Sequence, residues 1–383
     1  MKCEVLSPGV LLQFQRFSDL LLREFAFMGL LMAQPALFAL FEKRIEGDDA
    51  LLTLAQRRFQ EHKLLPEYHA GSKKESDAIL PFHPFPESGG VVHLPRKLDI
   101  LKPGNRDAIA ALAAAVPENT RRLVLHDQEV VREDFEGYVK ALRDLDHALG
   151  GGKARTRVYL EYAVGLEPDL FCRVIEAAAD FPSICACIDI GHVGIRRARR
   201  IYEQRFPGHE LNRREAEDPA TFDRLSEVED AVLRAMSVTL DMIRRLSKLD
   251  KPIHFHLHDG HPLVENHYGV PDHKSFLERP MLAAPDGSRI ELDTLYGPEG
   301  LHAVVETARQ HLDEDRLTFT LEIHETLEAL QLDPEADFLF GHWADKTNAE
   351  KMNHWLDLLK RNATVFHKIW KCREPEAEAG LKR

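Results

Sequence analysis

Residues 184–192 read ICACIDIGH, an apolar run that ends abruptly in Asp189, Gly191 and His192. A run apolar on both alternating faces suits a strand covered on both sides, as in a parallel sheet wrapped by helices. Its polar tip then lies where the strand emerges from the core. Outward from this stretch the same grammar repeats. Short β-rich runs occur at GVVHLP (90–95), RLVLHD (122–127), RVYLEYA (157–163), PIHFHLHDG (252–260) and LTFTLEIHE (317–325). Between several of them stand helical patterns, NRDAIAALAAAV (105–116), DFEGYVKALRDLDHAL (134–149) and DLFCRVIEAAADF (169–181). Strand and helix in alternation predict an α/β fold with a parallel sheet, and a (β/α)8 TIM barrel is the first choice.

The barrel domain is expected over residues 61–372, preceded by an N-terminal helical segment, 1–60, that packs on the barrel or completes it. Within that segment 36–41 has strand character, and 50–65 is helical up to the break at Pro66. Insertions are expected near 193–249 and 261–300. The first ends in a helix at 229–249 with apolar positions recurring at three and four, which caps the barrel or forms a homo-oligomer contact. The second is rich in Gly, Pro and His, and loops of such length in a compact domain tend to be functional. Residues 373–383 form a solvated tail.

Composition narrows the function. The chain has 383 residues, 44% of them hydrophobic, enough for one large α/β domain. Its 63 acidic against 50 basic side chains give a net charge of −13, which disfavours a nucleic-acid partner. The apolar run at 25–41 is flanked by Arg23 and Glu24 and interrupted by Gln34 and Pro35, so no membrane span is expected. Five cysteines without a CxxC pair fit reduced thiols of a cytoplasmic protein, with Cys185 and Cys187 packing as small hydrophobes. No GxSxG elbow and no strand-linked GxGxxG occurs, which argues against serine-hydrolase and Rossmann chemistry.

The polar residues fall in order at the strand ends: His93, His126, Glu161, Asp189 with His192, His256 with His258, and Glu322. In a (β/α)8 barrel those ends converge on one mouth. One such residue is ordinarily a hydrogen-bonding group; six strands ending this way in sequence point to a shared site. Carboxylate oxygens mixed with imidazole nitrogens suit Mn²⁺, Co²⁺, Zn²⁺ or Fe²⁺ better than Ca²⁺.

With LEY around Glu161, DIGH at 189–192, HFHLHD at 254–259 and LEIH around Glu322, the chain resembles the xylose-isomerase-like superfamily over about residues 90–330. That superfamily includes sugar-phosphate isomerases and epimerases and the endonuclease IV branch. The resemblance implies Glu161, Asp189, His256 and Glu322 as metal ligands and His192 as a substrate-side or second-metal histidine. His93 and His126 resemble additional ligands of the multi-metal members, so one to three cations per chain are implied. Those members carry a further Asp-x-His after strand six. Here Glu265 with His267, or Asp272 with His273, stands near that place, and neither pair matches cleanly. His254 reads as a deeper group supporting the ligands, and Asp259 as a tie for its loop.

Two chemistries follow. In a metal-dependent isomerase or epimerase acting on a sugar, sugar phosphate or polyol, Glu161 and Glu322 exchange a proton at carbon while His192 holds a hydroxyl. In an endonuclease-IV-like phosphodiesterase the same ligands with His93, His126 and His267 hold several cations. The isomerase is the primary expectation, placing the protein in carbohydrate metabolism. Arg196 and Arg197, in IRRARR directly after DIGH, are the groups expected to grip a substrate phosphate. A barrel that binds metal without turnover is the non-enzyme alternative.

Overall fold

The computed structural model describes residues 36–42, 57–59, 61, 64–69, 90–95, 98–116, 122–212, 219–265, 271–284, 286–324 and 349–371. The strands are β1 Ala36–Glu42, β2 Leu65–His69, β3 Val91–His93, β4 Arg122–His126, β5 Arg157–Glu161, β6 Ile184–Asp189, β7 Ile253–Leu257, β8 Met281–Ala283, β9 Arg289–Glu291 and β10 Leu317–Leu321. Six of them, β3-β4-β5-β6-β7-β10, lie side by side in one parallel, curled sheet. β1 pairs in parallel with β10 and with β2, and β2 with β3. The compact unit that carries the sheet runs from Ala36 to Arg383, so the strand expected at 36–41 belongs to it as β1, although the segment 1–60 as a whole is expected from sequence to be helical. The helical expectation for 50–65 is met by helical residues 57–59 and 61; Leu65, its last residue, already opens β2.

Residue alternation explains the core. Ala186, Ile188, Phe255, Leu257, Phe319 and Leu321 point outward into the large apolar cluster shared with the helices. Val91, Val124, Tyr159, Cys185 and Cys187 point inward and form a separate small cluster. On β3 to β6 the inward face is thus apolar below and, at the strand ends, acidic or imidazole, while β7 and β10 are polar there throughout, with His254 and Thr320 below His256 and Glu322. Cys172, Cys185 and Cys187 are buried free thiols, which burial pushes up in pKa, Cys172 to about 12 and Cys185 to about 11.

The helices are α1 Pro103–Ala115, α2 Phe135–Leu149, α3 Pro168–Ala177, α4 Ile190–Arg205, α5 Leu225–Leu246, α6 Gly297–His311 and α7 Ala349–Lys371. Asp134 caps α2 by accepting from Gly137 N at 2.9 Å, and Gly150 ends it at φ 102°, a left-handed turn that suits glycine. α5 is the helix expected at 229–249, starting four residues earlier. At the opposite end of the sheet from the site, Lys251 lies buried and donates to the carbonyls of Ala178, Phe181 and Ile184 at 2.6–2.9 Å, closing that end without a carboxylate partner. The second insertion contributes the β8–β9 hairpin. Among the described residues no helix is long and apolar enough to cross a membrane.

Candidate metal centre

The register brings the strand ends together. His126 pairs with Glu161 across β4 and β5, Asp189 with His256 across β6 and β7, and Thr320 with His256 across β10 and β7. His256, wholly buried, stands at the middle. Its Nδ1 lies 2.9 Å from Glu322 Oε2, 3.2 Å from Glu161 Oε1 and 3.9 Å from Asp189 Oδ2. One ring nitrogen carries at most one proton and cannot satisfy three carboxylates. Among the described residues, buried Asp189 Oδ2 and Glu322 Oε2 have no donor aligned for a hydrogen bond, however close His256 stands. Such a convergence of anionic oxygens on one nitrogen fits a cation bound among them, and the four residues are the ligand set expected from sequence.

Glu161 extends the site. Its second oxygen lies 2.9 Å from His93 Nε2 and 3.3 Å from His126 Nε2. His93, His126 and Glu161 form one of several clusters of His, Cys and carboxylate groups able to hold a metal ion. Burial by itself would raise the Glu161 carboxyl, but His126, His256 and His93 hold it well below the usual carboxylate range. Glu322 is held low in the same way, against burial, by His256 and His273. Conversely His256 is pushed well above the imidazole range despite burial by the acidic groups around it, the Cys187 thiol and the Glu67, Glu161 and Glu322 carboxylates among them. A cation at this point would therefore compete with a proton for the same nitrogen, and its binding would release that proton.

The opening stretch takes on a double role here. Asp189 Oδ1 caps α4 by accepting from His192 N at 2.8 Å, which leaves Oδ2 turned toward His256. Gly191 is required because a Cβ there would sit 2.0 Å from the His258 ring. His258 Nδ1 accepts from His273 N at 2.9 Å, so its proton lies on Nε2, 2.8 Å from Asp189 Oδ1. The His192 side chain is one-fifth exposed, the most open of the ring's imidazoles. It lies 3.2 Å from Asp272 Oδ2 and 3.5 Å from Asp189 Oδ2. Burial lowers its pKa, yet these two carboxylates raise it to about 9, so it is an imidazolium at neutral pH.

Of the two pairs weighed for the loop after β7, the structure brings Asp272 and His273 to the site. His267 lies outside the described residues. Asp259 ties down its loop by accepting from the backbone N–H groups of Gly260, Tyr296 and Gly297 at 2.7–3.2 Å. Arg196 and Arg200 both donate to Glu167, at 2.9 and 2.7 Å, so the guanidinium of Arg196, expected to grip phosphate, already has a carboxylate partner. Arg197 Nε is buried and makes no hydrogen bond.

Sequence reasoning missed Glu67. It sits on β2, fully buried, with Oε1 accepting from His256 Nε2 at 3.0 Å and Oε2 lying 3.2 Å from His254 Nε2. Thr320 also donates to Oε2, and Thr318 Oγ1 lies 2.7 Å from His254 Nδ1. Although burial raises its pKa, His256 and His254 drive Glu67 far below the carboxylate range, so it is ionised. A carboxylate on the far nitrogen of a ligating histidine fixes the ring and its tautomer, directing Nδ1 to the cation. The only signal was an acid inside a short apolar run, LLPEY (64–68), next to a proline. Comparison of the chain with protein-family models and with curated proteins finds no match.

Proposed function

We propose that the chain is a (β/α)8 barrel of the xylose-isomerase-like superfamily that hydrolyses a small phosphoester with more than one divalent cation. Parallel pairing of β1 and β2 between β10 and β3 supports the complete barrel. One observation carries the chemistry: Glu161 turns one oxygen to His256 and the other to His93 and His126, so a single carboxylate bridges two adjacent ligand sets. Proton transfer at carbon on one cation has no use for the second set, whereas phosphoryl hydrolysis does.

In this reading Glu161, Asp189, His256 and Glu322 hold one cation, and His93, His126 and Glu161 hold another. Bound cations supply a water of lowered pKa and neutralise charge on the phosphoryl oxygens. Glu161, kept ionised, spaces the two sets. His192, 3.2 Å from Asp272 and the most open imidazole of the ring, is placed to pass a proton to the leaving oxygen. The net charge of −13 favours a small substrate over duplex nucleic acid.

The isomerase or epimerase remains the second reading, because Glu161 and Glu322 stand on either side of one point, 3.2 and 2.9 Å from His256 Nδ1, as a two-carboxylate proton exchange requires. Metal analysis of protein purified without added metal separates the two, combined with turnover of phosphodiester and phosphomonoester esters against aldose–ketose interconversion. Two or three cations with ester hydrolysis support the hydrolase; one cation with sugar interconversion supports the isomerase. A chain without bound metal, whose metal affinity is unchanged in Glu161→Gln and Glu322→Gln, overturns both.

A further inference from the structure

Glu322 repeats what Glu161 does. Each carboxylate gives one oxygen to the point before His256 Nδ1 and turns the other to a pair of histidines. For Glu161 the pair is His93 and His126; for Glu322 it is His273 and His324. His273 Nε2 lies 3.4 Å from Glu322 Oε1 and His324 Nε2 lies 4.0 Å from it. The rings of the two histidines are 4.9 Å apart, and all three side chains are buried. We propose that His273, Glu322 and His324 form a further divalent-cation site, bridged to the central one through Glu322. The inference rests on the metal-dependent reading of the mouth.

Three observations support it. Spacing comes first: ligand atoms about 2.1 Å from one tetrahedral ion lie roughly 3.4 Å apart, the separation of His273 Nε2 and Glu322 Oε1. The 4.0 Å gap to His324 exceeds a hydrogen bond and lies within the spread of ligand atoms around the other clusters able to hold a metal ion.

Second, His273 is oriented for the purpose. Its Nδ1 lies 2.6 Å from Asp272 Oδ1, a carboxylate hold that leaves Nε2 to face Glu322. Its backbone sits at φ 57°, a left-handed conformation that a side-chain-bearing residue keeps only when its surroundings enforce it.

Third, the two loops that bring the histidines are fastened together and to one helix. His324 N donates to His273 O at 2.9 Å. From α7, Trp355 Nε1 donates to Ile323 O at 2.7 Å, and Asn362 Oδ1 accepts from Phe276 N at 3.1 Å. Two imidazoles and a carboxylate suit Zn²⁺, Mn²⁺ or Fe²⁺.

The test is isothermal titration of the metal-stripped full chain with Zn²⁺ and with Mn²⁺, together with anomalous diffraction at the zinc edge. Wild type is expected to show a peak within ligand distance of His273 Nε2, Glu322 and His324. His324→Ala and His324→Asn are expected to bind one cation fewer, keep the peak beside His256 and Glu161, and unfold in the metal-free state close to wild type. A peak at His256 with none at His273, or unchanged stoichiometry in both variants, overturns the inference alone. A chain that binds no cation at the His256 set overturns the proposed function with it.

Discussion

The two flanks of His256 are alike in chemistry and unlike in construction. Glu161, His93 and His126 are the last residues of β5, β3 and β4; parallel register pairs His126 with Glu161 and sets His93 beside Val124, two residues back along β4 on the same face. Glu322 lies one residue beyond β10, and its partners come from loops, one of them at a positive φ. A sheet supplies the first flank with regular backbone; the second is held by contacts with α7. Rigid strand ends need little support to position ligands, whereas loop ligands depend on whatever anchors the loop.

The largest effect is expected from breaking the shared member of the first flank. Glu161→Gln removes an anion from both the His256 and the His93–His126 sets. Metal affinity measured by titration is expected to fall by more than about 100-fold, with loss of turnover. Retention of full stoichiometry would separate Glu161 from metal binding and leave the flanks without a common plan.

A smaller effect is expected at the carboxylate beneath them. Glu67→Gln keeps the shape but loses the charge that holds His256 Nε2–H, so affinity for the central cation is expected to drop by about 10- to 100-fold. Cobalt substitution adds a readout that packing alone would not move, a shifted visible spectrum. An unchanged spectrum and affinity would reduce Glu67 to a packing residue.

The third test concerns stability against pH and lies outside the ligand sets. Asp127 follows His126 and accepts from the N–H groups of Ala163 and Val164 at 3.0 and 2.7 Å. Burial raises its carboxyl from 3.8 to about 7 against the pull of those two donors. A raised folded-state value means stability is fullest below about pH 4 and is lost as pH climbs to about 7, by up to about 4 kcal/mol through linkage. In metal-free protein Asp127→Asn, which keeps an acceptor oxygen, is expected to flatten the fall of Tm over that window. Equal slopes in the two proteins would assign the fall to other groups.

Much of the first flank was legible because its signals are local. A strand buried on both faces writes itself as a continuous apolar run, and a polar residue at the end of such a run has only the mouth to occupy. His93, His126 and Glu161 could be picked out as strand-end groups on that basis, as could Asp189, His256 and Glu322; the choice of Glu161, Asp189, His256 and Glu322 as one ligand set came from the resemblance to the xylose-isomerase-like superfamily. Glu67 could not, since β2 is five residues long and its Pro66 reads as the end of the preceding helix instead of as part of a strand. Arg196 failed for another reason: nothing in IRRARR indicates that Glu167, some thirty residues earlier, claims its guanidinium.

By itself, then, the sequence determined the alternation of strand and helix, the inward and outward faces, and which strand tips carry acids or imidazoles, because backbone periodicity is a property of a few neighbouring residues. Only the tertiary structure decided that His256 Nε2 belongs to Glu67, that Asp189 caps a helix with one oxygen and faces the site with the other, and that His273 and His324 meet at Glu322. Those pairings join residues distant in the chain. Curling of the sheet and seating of α7 against two loops bring them within a few ångströms, and no local pattern encodes either.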